Sequence, residues 1–404
     1  MPPQKFYNMP YFIPLGIPDF KGKKDRDFIQ VSYLIEGNDA VELTIQIRDG
    51  GKIIYQEKIT DSSKLTKGEH RWKWNGFDSN GIYDSTVFTT AKDLNIYTIA
   101  IDNEENYSRK RVEFTAKYSE VKWVDVKINK NTKRIDVTLR VNLKDGGEIG
   151  TEKDCIQVGS GQYSSIKTVC PWEKIPEKDI KRYGKPPIKS RTKSFKDLEQ
   201  LALEGLSYHW GRNKNHFIAK NVDINGELYE VFVNAINTTK KAMDDVDLIF
   251  NTNHKWMRSG NPGTVEDPIS FVGNIVSREA ICYNVGYIKY SDGWGYREEE
   301  SITSGFGENL EFMDTSAHEI GHTILKAYGG TFYSYGHKGS VNTITQNKKS
   351  NAPKFPLEGE IDIMPYHKEN KLGKWYRQSN YYKRRVAHKK DVLSLIWLTK
   401  LNLK

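Results

Sequence analysis

The sequence predicts an α+β protein: a β-sandwich in the first third, then a larger unit with helices packed on a mixed sheet. Three observations carry this expectation. Short alternating apolar–polar runs recur at regular spacing from Phe28 to Lys117. Longer helical periodicities appear from Phe195 onward and again from Met313 to Tyr328. The 404 residues, 37% hydrophobic and 12% aromatic, suffice for two or three packed cores. We therefore divide the chain into a tail (1–25), a β-sandwich (26–120) and a larger helix-and-sheet unit (121–404).

In the sandwich, strands are expected at Phe28 to Ile35, Val41 to Arg48, Ile53 to Lys58, Asn95 to Ile101 and Arg111 to Ala116. Val41 to Arg48 alternates cleanly, which puts one apolar face on a core. Asp49-Gly50-Gly51 between two such runs signals a hairpin. Val121 to Leu143 holds two more alternating strands joined at Asn129 to Lys133. The proline-bearing basic stretch from Pro171 to Lys196 reads as a connector. A helix follows from Phe195, then strands at Glu230 to Ile236, Val246 to Asn251 and Ile281 to Tyr290. A short helix is expected over Ala235 to Met243, and a closing helix over Asp391 to Leu403.

The chemistry concentrates in His318-Glu319-Ile320-Gly321-His322. Residues four apart share a helix face, so His318 and His322 can aim both imidazoles at one ion, most plausibly zinc. Glu319 then stands beside the metal, able to take a proton from bound water. The competing structural reading is a capping box, Ser316-Ala317-His318-Glu319, in which Glu319 ties up a backbone donor. The apolar stripe Met313, Ala317, Ile320, Gly321, Ile324, Leu325 and Tyr328 favours a half-buried helix of about four turns, stopped by Gly329-Gly330.

Downstream, Glu360-Ile361-Asp362-Ile363-Met364-Pro365-Tyr366-His367 resembles the Met-turn of metzincin zinc peptidases, in the Met-x-Tyr form of astacins and serralysins. The resemblance implies a zincin-type catalytic fold with active-site helix and Met-turn. It also implies that Tyr366 reaches the metal or the developing oxyanion. The chain departs from the family after the pentad: Leu325 and Tyr328 stand where metzincins have glycine and the third histidine. His337 is our choice of third ligand, with Asp362 and Glu360 as alternatives and His367 disfavoured for crowding Tyr366. Three ligands would leave one zinc position for water, with Glu319 as general base and Tyr366 aiding the oxyanion. The expected activity is that of a zinc metalloendopeptidase on peptide or protein. The strand Ile281 to Tyr290 is the candidate for pairing with extended substrate, and the glycine-rich stretch Asp292 to Glu308 could rim the cleft.

Trp74-Asn75-Gly76-Phe77-Asp78-Ser79-Asn80-Gly81 resembles a turn of immunoglobulin-like domains in secreted bacterial proteins, which implies a docking module. Asp78, Asn80 and Asp84 suit Asx turns better than a calcium loop. An immunoglobulin-like module, a zincin domain and no visible signal peptide together resemble metallopeptidase toxins of type VI secretion effectors. That likeness implies an immunity protein or a secretion-apparatus component as partner. Two other readings stay open: a binding protein with a structural zinc site, and an amidase of cell-wall peptides.

The remaining features constrain less. No stretch approaches the roughly 18 apolar residues of a membrane span. Met1 to Phe20 lacks the layout of a cleavable signal, so synthesis in the cytoplasm and any export by a signal-independent route are expected. Cys155 and Cys170 are either a disulfide or, with Cys282, reduced thiols. The net charge of +9 is scattered over Lys21 to Lys24, Lys181 to Lys196, Lys383-Arg384-Arg385 and Lys389-Lys390, with no nucleic-acid motif beside it. We read these as solvated surface.

Overall fold

The computed structural model describes residues 11–159, 166–260, 279–300, 307–335, 350, 352–367 and 380–404. The architecture is α+β. Near the N-terminus a four-stranded antiparallel sheet runs in the order Lys52–Ile59, Ala40–Asp49, Leu94–Asp102, Tyr107–Glu113. The expected hairpin is present, with Asp49 opposite Lys52 and Gly50 at φ +59°, a left-handed turn conformation. Alternation sends Leu43, Ile45 and Ile47 inward, each burial stabilising by about 1.5–3 kcal/mol. A second antiparallel pair, Ile29–Ile35 with Gly68–Trp74, faces this sheet, and Tyr55 stacks on Trp74 at 5.4 Å. The Trp74–Gly81 turn is held by Asx bonds: Asp78 Oδ1 accepts from Asn80 N at 2.9 Å and Ile82 N at 2.8 Å. Asp84 caps a short helix, Ser85–Thr90, accepting from Thr86 N.

The chain weaves across the division drawn near residue 120. Ile82–Asp84 pairs with Val124–Asn129, a strand of the following sheet. Tyr11–Phe12 pairs with Leu401–Leu403, which pairs in turn with Ala116–Tyr118. Residues 11–25, grouped with a tail, therefore contribute to the core, where Phe12 and Ile13 are fully buried. The expected closing helix is shorter, Lys389–Trp397, because Leu401–Leu403 gains ladder bonds on both sides as a strand. The expected strand Arg111 to Ala116 is likewise split: Tyr107–Glu113 ends the first sheet, and Ala116–Tyr118 belongs with the C-terminus.

The central sheet is mixed. Val124–Asn129 and the 16-residue strand Arg134–Ile149 form the expected hairpin, its bend fixed by Asn129 Oδ1 accepting from Asn131 and Thr132 N–H. The first half of the long strand pairs in parallel with Glu227–Asn237, and the second half with Asp245–Asn251, which pairs with Ala280–Asn284. The helix expected over Ala235 to Met243 is absent. Parallel pairing continues to Val141 opposite Asn237, and those ladder bonds outweigh local helix preference. Ile281 to Tyr290 is two strands rather than one. Gly286, at φ +78°, breaks it, and the second piece, Gly286–Tyr290, joins a different sheet.

A helix, Phe195–Trp210, is opened by a reciprocal cap between Ser194 and Asp197. It packs on the sheet and on a second, longer helix, Glu308–Gly329. After it, His216 donates from Nε2 to Tyr208 O at 3.1 Å and accepts at Nδ1 from Ile218 and Ala219 N–H at 3.1 and 2.9 Å. Burial is the main cause holding this imidazole down at about 4. The unfolded chain, with an imidazole pKa near 6.5, binds more protons between those values. This contribution, up to about 3 kcal/mol, is thus complete above pH 6.5 and lost as pH falls toward 4. His216→Gln is expected to flatten unfolding free energy against pH in that window, and an unchanged slope would exclude the role.

Cys155 and Cys170 are disulfide-bonded at the base of the hairpin Ile156–Val158/Lys167–Val169, and Cys282 is buried and unbridged. Among the described residues no helix is long and apolar enough to cross a membrane.

Candidate metal centre

The pentad lies on Glu308–Gly329, a helix of 22 residues, about six turns rather than the expected four. Its start is anchored by Glu308, whose carboxylate accepts from Asn284 N at 2.8 Å and pairs with Arg297. Gly330, at φ +83°, ends it. Ser316 therefore sits inside the helix, fully buried, and the capping-box reading of Glu319 falls away.

Each histidine is oriented through the nitrogen nearer its backbone. His318 Nδ1 lies 2.8 Å from the Ile363 carbonyl, which can only accept, so Nδ1 carries the proton. His322 Nδ1 lies 3.2 Å from Ser334 Oγ, and that hydroxyl donates to His322 O at 2.7 Å. The hydroxyl proton being committed, Ser334 accepts from Nδ1. Both rings therefore keep the Nε2 lone pair available as a ligand, the tautomer that outer partners impose on ligating imidazoles. The rings stand 4.9 Å apart at 87°, and potential ligand atoms of His318, Glu319 and His322 all lie within 4.8 Å of one another. A neutral nitrogen pair beside a carboxylate fits the donor set of zinc.

The turn predicted around Met364 packs directly beneath. Met364 is fully buried, and its Sδ would lie 3.0 Å from a Cβ built on Gly321. Trp210 would lie 2.9 Å from the same point. Gly321 thus lets both side chains reach the helix between the two histidines. Trp210 also donates from Nε1 to Ala317 O at 3.1 Å. Asp362 Oδ1 accepts from Met364 N at 3.1 Å and so shapes the turn, while Glu360 pairs with the buried Arg212. These are the two alternative third ligands, and the group of potential ligand atoms around the pentad includes neither. His337 lies outside the described residues.

A cavity of about 250 Å³ opens beside His318, Glu319 and Tyr366, with His367 also on its wall. Tyr366 Oη is 3.5 Å from Arg258 Nη2. Burial raises the Tyr366 phenol, opposed by Arg258 and reinforced by Glu319. Burial likewise pushes the Glu319 carboxyl up to about 7, with Arg258 opposing. Arg258 was given no role in the sequence reading, because its contact with Tyr366 joins segments far apart in the chain.

The expected substrate-pairing strand is already covered. Gly260 N donates to Ala280 O at 2.8 Å, Cys282 N donates to Ser259 Oγ at 3.0 Å, and Asn284 Nδ2 donates to Met257 O at 3.0 Å. Met257 to Gly260 therefore occupies the outer edge of Ala280–Asn284, whose residues are all buried. The basic run Lys383-Arg384-Arg385 is also not plain solvated surface. Arg384 donates to Gly359 O and Pro356 O, and Arg385 pairs with Asp314.

No family model matches this chain, and no curated protein matches it. A solved structure of a β-glucuronidase from Ruminococcus gnavus, in complex with D-glucuronic acid, is 11% identical with a TM-score of 0.14. The match covers 72% of this chain and 38% of that one, a likeness too weak to bear on fold or function.

Proposed function

We propose that this chain is a zinc-dependent metallopeptidase. One observation carries the reading: His318 and His322, one helical turn apart, are each oriented through Nδ1 by a protein oxygen, with Glu319 beside them. His318 and His322 would hold the ion, with His337 retained as third ligand. Bound zinc would supply a Lewis acid that lowers the pKa of a coordinated water toward about 7. Glu319 accepts the proton released as water attacks the peptide carbonyl, then delivers it to the leaving amine. Tyr366 lends its hydroxyl to the developing oxyanion, and Arg258 fixes the orientation of that hydroxyl. The cavity beside Glu319 and Tyr366 receives the substrate residue next to the scissile bond.

In finer detail, we assign the paired sheets of residues 26–120 to an immunoglobulin-like docking module. Residues 121–404, with the helix and Met-turn, are assigned to a zincin catalytic domain. Delivery as an antibacterial effector, with an immunity protein in the producing cell, follows from the same resemblance.

The test is metal analysis of the purified chain together with digestion of casein and a peptide library, with and without chelator. One zinc per chain and chelator-sensitive cleavage are expected. Zinc without cleavage of any amide would reduce the site to a structural one. Ser334→Ala is expected to weaken zinc binding by about 10–100-fold through loss of the His322 partner, as competition titration would report. Unchanged affinity would exclude that role.

A further inference from the structure

Asp314 precedes His318 by one helical turn and so shares its face. Arg385, on the short strand Arg385–Val386, donates from Nε to Asp314 Oδ1 at 2.5 Å. The same guanidinium donates from Nη2 to Ile363 O at 3.1 Å, the carbonyl that accepts from His318 Nδ1 at 2.8 Å. A carbonyl oxygen has two lone pairs, and both are thus occupied. The bonds close a ring: helix carboxylate, guanidinium, Met-turn carbonyl, helix imidazole. We propose that Arg385, held by Asp314, is the positioning residue that presents Ile363 O to His318 and thereby sets the ligating geometry. This deepens the metal reading and rests on it.

The arrangement has the features positioning requires. Arg385 and Asp314 side chains are only 14% and 9% exposed, so solvent competes little for these bonds. Arg385 is anchored from behind as well, because its own carbonyl accepts from His209 Nδ1 at 2.5 Å. Its strand pairs with Ile361–Asp362, and Ile363 N donates to Val386 O at 3.0 Å, so backbone and side chain hold one carbonyl from two directions. Only a planar fork spans Asp314 and Ile363 O together; a lysine ammonium keeps the charge but cannot reproduce both directions. The guanidinium also draws on the electron density that His318 N–H would otherwise use. His318 should therefore be a less basic ligand than an imidazole paired with a carboxylate, with Asp314 offsetting part of that field.

The experiment is titration of full-length, metal-free protein with Zn²⁺ against a competing chelator, and with Co²⁺ followed by its visible spectrum. Arg385→Lys is expected to weaken Zn²⁺ binding by about 10–100-fold and to alter the Co²⁺ bands, while near-ultraviolet dichroism of the metal-free chain stays native. Asp314→Asn, close to isosteric, should weaken binding by about 10-fold and decides the matter if Arg385→Lys does not fold. Arg384→Lys disturbs the neighbouring residue alone and should leave affinity unchanged. Wild-type affinity and spectrum in Arg385→Lys, or in Asp314→Asn where that variant decides, would overturn the proposal, as would an equal loss in Arg384→Lys. A wild-type chain that takes up no zinc would instead overturn the metal reading, and this inference with it.

Discussion

Glu319→Gln is expected to keep one zinc per chain while lowering kcat by about 10²–10⁴-fold, or about 3–5 kcal/mol of transition-state stabilisation. Gln has nearly the same shape and can still hydrogen-bond, so the variant removes the base without opening a cavity. The residue is well placed for that role. It follows His318 directly on the helix, lines the cavity, and lies close enough to Arg258 to feel its charge, while its own charge helps raise the Tyr366 phenol. Metal content and kcat on one peptide separate the outcomes. Near-normal turnover would remove Glu319 from the mechanism. Loss of zinc would recast it as a ligand, since its carboxylate lies within the same 4.8 Å cluster.

Gly205→Ala should give the largest stability loss of any single methyl group added near the site. Taken alone, Gly to Ala inside a helix gains about 1 kcal/mol. Here the new Cβ would lie 2.2 Å from Met313 O and 2.7 Å from Met313 C and Cα. Those are backbone atoms and cannot rotate aside, so the two helices must separate. Overpacking of this kind costs about 3 kcal/mol, which exceeds the propensity gain. Met313 precedes His318 on the same helix, so zinc affinity should fall along with stability. Urea unfolding with zinc titration measures both, and a variant as stable as wild type would contradict the close crossing.

The legible parts of the fold were those with strong local period or turn chemistry. Val41 to Arg48 declared its face by alternation, Asp49-Gly50-Gly51 its hairpin, and the periodicity from Phe195 onward its helix. The errors came where a partner distant in sequence outweighed local preference. Ala235 to Asn237 stayed extended because a parallel neighbour continued to offer ladder bonds. Leu401–Leu403 became a strand because Tyr11–Phe12 and Ala116–Tyr118 flank it. Ile281 to Tyr290 divided at Gly286, where a Cβ would meet Thr252 Oγ1 at 2.6 Å.

The sequence by itself determined which helix carries the candidate metal centre, because spacing of four along 3.6 residues per turn puts His318 and His322 on one face whatever the surroundings. Met364 and Tyr366 were marked only by their resemblance to the metzincin Met-turn. Tertiary structure alone decided how those side chains are held. The Ile363 carbonyl, Arg258 and Arg385 come from segments far from the pentad in the chain, while Asp314 lies one turn before His318 on the same helix and Ser334 just beyond its end. Hydrogen bonds between such segments leave no periodic trace, since each depends on the packing of whole elements rather than on residue spacing.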